Sequence, residues 1–135
     1  MVCGRHETIN KLIQFARTYR YTTSIPPVFA TAGLMALEIL HKETWRIDKL
    51  QNLIAYFNQQ AKQLRPDSSP TAIQAFTIGD EKKALSLQEK LATHGFLVGC
   101  LRAPSVPINN SIIRITLTVE HTETQIDRLL EFLDV

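Results

Sequence analysis

Apolar and polar positions change period several times along this 135-residue chain, and each period predicts an element. Met1 to Gly4 is a short apolar run ending in Gly and reads as the end of a strand. Ile9, Leu12, Ile13 and Ala16 recur at helical spacing and predict a helix over 7–16. Residues 19–24 form a polar, β-prone link. Pro26-Pro27 then opens a helix, because Pro is tolerated in a first turn. Over 28–40 that helix is apolar nearly all round, from Val28 and Phe29 through Leu34, Met35 and Leu37 to Ile39 and Leu40. So little polar face calls for burial, either as an ordinary core helix or between two domains or subunits. Thr44 is placed to cap the next helix, whose stripe is Leu50, Leu53, Ile54, Phe57, Ala61 and Leu64. The run RPDSSP over 65–70 is a loop, since the residue before each Pro disfavours helix.

The second half alternates at period two. Residues 71–78 predict a strand, ended by Gly79 and by Asp80, a natural N-cap. The helix over 82–93 buries Ala84, Leu87 and Leu91, and Gly95 stands where a left-handed exit is needed. Residues 96–101 predict a second strand. Pro104 and Pro107 then fix their own φ and remove two N–H groups, so the turn is stiff and cannot join a ladder. Asn109-Asn110 tolerate left-handed backbone and favour a reversal. A third strand spans 112–119, with Ile113, Ile115, Leu117 and Val119 on one face and Arg114, Thr116 and Thr118 on the other. Thr122 to Gln125 is a capping box, and Ile126, Leu129, Leu130 and Leu133 form the face of a last helix. The predicted class is α+β: two long helices, then an antiparallel sheet of about three strands covered by two helices.

Composition narrows the class. The chain is 44% hydrophobic and 21% charged, ordinary for a globular domain, with a net charge of +2. Basic residues are dispersed, so nothing marks a nucleic-acid face. No apolar run is long enough to cross a membrane, and the start shows no signal-peptide pattern. Cys3 and Cys100 have no metal-ligand spacing and read as free thiols of a reducing cytosol.

Arg114 is the one charge on a strand whose other face is apolar, with Thr116 and Thr118 beside it and a stiff turn before it. An arginine so placed can hold an anion through its planar fork. The same pattern also fits the solvated face of an antiparallel sheet. His121 precedes a helix start and reads as a surface or capping residue.

Two motifs carry a resemblance. The C-terminal run is Arg102-Ala103-Pro104-Ser105-Val106-Pro107, then Arg114-Ile115-Thr116-Leu117-Thr118, then His121. Upstream, Phe15-Ala16-Arg17 leads to Tyr21-Thr22-Thr23-Ser24-Ile25-Pro26-Pro27. In this order and spacing they resemble the α-oxoamine synthases, pyridoxal 5'-phosphate (PLP) enzymes of fold type I. The family shows Arg-Pro-Pro-Thr-Val-Pro, a Gly-containing turn, Arg-Leu-Arg-Leu-Thr-Leu-Thr and His. It also shows Phe-Ala-Arg followed by Tyr-Ser-Thr-Ser-Met-Pro-Pro. The resemblance spans nearly the whole chain but about the last third of the family enzyme.

The resemblance implies residues 1–42 as the tail of a large PLP domain with its linking helix, and 43–135 as the C-terminal small domain. It implies Arg114 as the ligand of the amino-acid carboxylate, Thr22 and Thr23 as donors to the PLP phosphate of a neighbouring subunit, and Arg102 and Ser105 near the acyl entrance. Without the resemblance, Thr22 and Thr23 read as a β-prone link with a cap at Ser24. The chain departs from the pattern at Ala103 (Pro in the family), Ser105 (Thr), Asn109 (Gly) and Ile112 (Arg). The Schiff-base lysine, the acid at the pyridine nitrogen and the stacking ring would lie upstream of Met1. The implied enzyme is a cytoplasmic homodimer that condenses L-alanine with a pimeloyl thioester, losing CO2, in biotin synthesis. Glycine-using members, 5-aminolevulinate synthase and 2-amino-3-ketobutyrate CoA ligase, are the alternative, as is a domain that kept the fold and serves interaction alone. Arg102-Ala103-Pro104 and Thr22-Thr23 favour the alanine-using member.

Overall fold

The computed structural model describes residues 2–64 and 69–133. The chain divides into two compact units, Met1–Lys42 and Glu43–Val135. Part of the loop expected over 65–70 lies outside the described residues, as does Met1.

In the first unit, α1 (His6–Phe15) and α2 (Arg17–Arg20) are separated by Ala16, whose backbone is extended. The start of the expected 19–24 link is helical, since α2 runs to Arg20, because Tyr19 and Arg20 N–H both donate to the Ala16 carbonyl at 3.0 Å. Local bonds satisfy backbone groups that an extended link would leave to water. Val2 to Gly4 carry no strand, and Thr22 to Pro26 have no regular structure. The third helix, α3 (Pro27–Lys42), starts at the expected proline, with Phe29 N–H donating to the Pro26 carbonyl at 3.0 Å. None of its residues is buried; Phe29 is 65% and Leu34 64% exposed. Within its own unit α3 is left uncovered.

The second unit opens with α4 (Trp45–Gln60), which tightens into a 3₁₀ turn over Ala61–Gln63 instead of running to 64. Thr44 occupies the N-cap position, but its backbone is helical and its side chain makes no capping bond. The start is held instead by backbone bonds from Ile47 to Thr44 and from Arg46 to Glu43, and by an Arg46–Glu43 ion pair at 2.8 Å.

Strand β1 (Ile73–Gly79) leads into α5 (Glu81–Thr93), then come β2 (Gly99–Leu101), β3 (Ser111–Thr116) and α6 (Glu123–Leu133). The sheet order is β1-β3-β2, with β3 antiparallel to both neighbours. Asp80 caps α5 by accepting from Lys83 N–H at 2.9 Å. Gly95, at φ +87°, supplies the left-handed exit. Strand β2 is shorter than the 96–101 run suggests. Phe96 N–H closes on the Leu91 carbonyl at 2.9 Å, and the Gln88 side chain donates to the Val98 carbonyl at 2.9 Å. Residues 96–98 thus finish the helix exit, and Leu97 is 99% exposed. Leu117 N–H still follows the β1 register, donating to the Ala72 carbonyl (2.8 Å), but Thr118 N–H turns to His121 Nδ1 (3.0 Å), and pairing with β1 ends there. The capping box forms as the sequence predicts: Thr122 N–H donates to Gln125 Oε1 and Gln125 N–H to Thr122 Oγ1.

One face of the sheet, with Phe76, Ile113, Ile115 and Leu117, carries the core. Against it pack Leu87 and Leu91 of α5 and Ile126, Leu129, Leu130 and Leu133 of α6. Helix α4 joins them as a third cover through Leu53, Ile54 and Phe57, the last edge-on to Phe76 at 6.1 Å between centroids. Burial of a side chain such as Leu91 or Ile113 contributes about 1.5–3 kcal/mol, so this cluster is the unit's main source of stability. Gln74, also on the core face, is satisfied by donating to the Ser69 and Thr71 carbonyls at 3.1 and 2.6 Å.

Candidate functional site

The register fixes what the other sheet face presents. Arg114 pairs with Ala75 of β1 on one side and with Gly99 of β2 on the other. Pairing partners share a face, so Arg114 stands in the central strand between two of the smallest side chains. A β-carbon built on Gly99 would lie 3.4 Å from Arg114 Nε and 3.6 Å from Nη2. The guanidinium therefore leans across β2, over the surface that Gly99 leaves low. Ile113 and Ile115, its neighbours in sequence, are buried on the opposite face. Among the described residues Arg114 makes no ion pair and no side-chain hydrogen bond, and it is exposed. An unpaired planar fork on a rigid strand suits a carboxylate, which takes two parallel bonds from it.

Strand β2 delivers Arg102 and Ser105. Leu101 pairs with Ile112, so Arg102 is the first residue past the ladder. Its carbonyl accepts from Ser105 N–H at 2.9 Å and from Val106 N–H at 3.3 Å, which folds the turn back on the strand end. The Ala103–Pro104 bond is cis, and Asn109 takes φ 62°, the left-handed conformation expected there. Arg102 Nε lies 3.5 Å from Glu81 Oε1, on the first turn of α5. Between that turn and the Pro-rich loop is a cavity of about 370 Å³, lined in part by Asp80, Glu81, Ala103 and Ile108.

Thr22 and Thr23 belong to the first unit. Both are exposed, outside regular structure, and make no side-chain hydrogen bond among the described residues. In the second unit, Arg114 stands on the sheet face away from the core, while Arg102 and Ser105 lie past the end of β2, where Arg102 reaches the first turn of α5; Thr22 and Thr23 belong to the other unit. His121 has the structural role the sequence suggests. Its Nδ1 accepts from Thr118 N–H at 3.0 Å, which places the ring proton on Nε2.

Sequence reasoning missed Ala75, Gly99 and Glu81. The first two carry no chemistry of their own and acquire meaning from the register alone. Glu81 reads as an ordinary acid in the first turn of a helix.

A family model for aminotransferase class I and II matches residues 1–133. The chain belongs to this family, whose enzymes are PLP-dependent. Within it the chain is similar to 8-amino-7-oxononanoate synthase. It is 47% identical over 134 residues to that enzyme from Ectopseudomonas mendocina, covering 98% of this chain and 34% of the relative. It is likewise 47% identical over 98% of its length to the enzyme of that name from Nitrosococcus oceani, covering 36% of it. The chain thus spans about a third of the length of the curated relatives it matches. Among solved structures, 8-amino-7-oxononanoate synthase from Francisella tularensis superposes with a TM-score of 0.80 at 29% identity, over 97% of this chain and 39% of that one. Serine palmitoyltransferase from S. paucimobilis gives 0.79 at 22% identity, over 95% of this chain and 33% of that one, and so shows the shared fold.

Proposed function

We propose that this chain is the C-terminal part of an 8-amino-7-oxononanoate synthase, with 1–42 the tail and linking helix of the PLP domain and 43–135 the small domain. The complete enzyme would be a cytoplasmic homodimer that joins L-alanine to a pimeloyl thioester and releases CO2. The relatives' name states the chemistry. An amino group at C8, a ketone at C7 and a carboxylate at C1 require an amino acid that loses its carboxyl group and an acyl donor that ends in a carboxylate. PLP, when bound, supplies the electron sink for such a carbanion.

This chain's residues would bind and orient. Arg114 is the observation that carries the reading: an unpaired, planar cation, central in the sheet, between Ala75 and Gly99. It would grip the alanine carboxylate in two bonds and so fix which bond at Cα breaks. Thr22 and Thr23 would donate to the PLP phosphate of the neighbouring subunit, since free hydroxyls bind phosphate oxygens without adding charge. Arg102 and Ser105, held by the turn, would face the incoming acyl chain. The lysine that anchors PLP would come from the larger part of the enzyme, so residues 1–135 by themselves would have no synthase activity.

The test is an assay of a complete enzyme carrying this segment, with L-alanine or glycine and pimeloyl thioester, following thiol release and CO2. Turnover with L-alanine above glycine is the expected result. Preference for glycine, or no turnover, overturns the assignment.

A further inference from the structure

We propose that Glu81 is a positioning residue for acyl selection, holding Arg102 by its Nε edge so that the Nη fork receives the terminal carboxylate of the acyl donor. This inference rests on the function proposed above and names a residue that the motif does not contain. The geometry has three parts. First, the contact is one-sided: Arg102 Nε forms an ion pair with Glu81 Oε1 at 3.5 Å, without a hydrogen bond, and neither Nη nitrogen makes a hydrogen bond among the described residues. A guanidinium presents two faces of donors, so one held through Nε keeps its Nη pair for a second carboxylate. Second, both ends of the contact are anchored. Glu81 is the first residue of α5, locked behind the Asp80 cap on Lys83 N–H (2.9 Å). Gly79 before it runs close to the Asn109 carbonyl, which would lie 3.3 Å from a β-carbon there. Arg102 ends β2, and its carbonyl is tied to Ser105 and Val106 N–H. Third, the pair is about half exposed on each side, so it stays within reach of a ligand.

The consequence is preorganisation. A free arginine at a strand end loses several rotamers when it binds, and one already held at Nε loses fewer. The ligand class this selects is a thioester whose acyl chain ends in a carboxylate, over one of equal length ending in a methyl group.

The experiment uses the complete enzyme carrying this segment, with L-alanine and either pimeloyl or heptanoyl thioester. The quantity read is the ratio of kcat/KM for the two. Glu81→Ala should lower that ratio by up to about fivefold, the size of an exposed ion pair, mainly through KM for the pimeloyl thioester. Glu81→Gln removes the charge that makes the pair and should lower the ratio about as far as Glu81→Ala, while Glu81→Asp keeps the charge and should stay closer to the parent. A merely structural role for Glu81 at the start of α5 would lower both kcat/KM values together. An unchanged ratio in Glu81→Ala, with both thioesters turned over, overturns the inference and leaves the proposed function standing. A parent enzyme that turns over neither thioester overturns the proposed function and this inference with it.

Discussion

The Tyr56 hydroxyl donates to both carboxylate oxygens of Asp127, at 2.8 and 3.0 Å, and so joins α4 to α6 across 71 positions of sequence. The bond to Asp127 raises the Tyr56 pKa above its ordinary value of 10.0, with desolvation and the nearby Asp127 and Glu123 charges adding to it. A group whose pKa is raised by folding stabilises the fold while it is protonated. The contribution is complete below pH about 10 and fades as pH rises through the raised value. Tyr56→Phe should therefore lower stability at neutral pH, and the gap to the parent should close in alkaline solution. Urea melts of both chains at pH 7 and above pH 10 measure it. A gap that is equal at both would mean that the bond is not what the hydroxyl contributes.

The core makes a larger claim. Phe57 is fully buried, edge-on to Phe76, and ties α4 to the sheet. Phe57→Ala should destabilise the second unit by about 3–5 kcal/mol, through lost transfer energy and the cavity left behind. Chemical denaturation followed by circular dichroism reads this directly. A loss below about 1 kcal/mol would place α4 outside the cooperative core.

Much of this second unit was legible in the sequence because its signals are local and periodic. The alternation from Ile113 to Leu117 gave the register that exposes Arg114, and Asp80, Gly95 and the Thr122–Gln125 box marked helix ends that the structure shows. What was not legible was set by competition for hydrogen bonds. Residues 96–98 have strand composition, but Gln88 and the Leu91 carbonyl take their backbone partners. Thr44 has capping chemistry, but its backbone is already helical. Tyr19 and Arg20 fold on the Ala16 carbonyl rather than extending. At the candidate site the motif gave Arg114, Arg102 and Ser105. Ala75, Gly99 and Glu81 required the pairing of distant strands and the approach of α5 to a loop, which no local pattern encodes.

Helix α3 carries Val28, Phe29, Leu34, Met35 and Leu37, each 47% exposed or more. An apolar helix surface of this extent drives association. The 135-residue chain should sediment as concentration-dependent oligomers or precipitate, and Phe29→Lys with Leu34→Glu should shift it toward monomer. A clean parent monomer at high concentration would contradict this.

The last prediction concerns Arg114 in a complete enzyme carrying this segment. Lysine keeps the charge but lacks the planar fork, so one of two parallel bonds to the alanine carboxylate should be lost. Charge-assisted bonds contribute about 1.5–3 kcal/mol each. Tenfold in binding is about 1.4 kcal/mol. Arg114→Lys should therefore weaken L-alanine binding by about one to two orders of magnitude, and Arg114→Ala by more. The fold should survive both, because Arg114 lies on the sheet face opposite Ile113 and Ile115. PLP affinity should survive as well, because the phosphate would be held elsewhere, by Thr22 and Thr23 among others. Amino-acid titrations followed by the visible spectrum of bound PLP separate these effects, since they report cofactor and amino acid independently. If Arg114→Ala binds L-alanine like the parent, the residue is a solvated strand arginine, and its place between Ala75 and Gly99 has no bearing on the carboxylate.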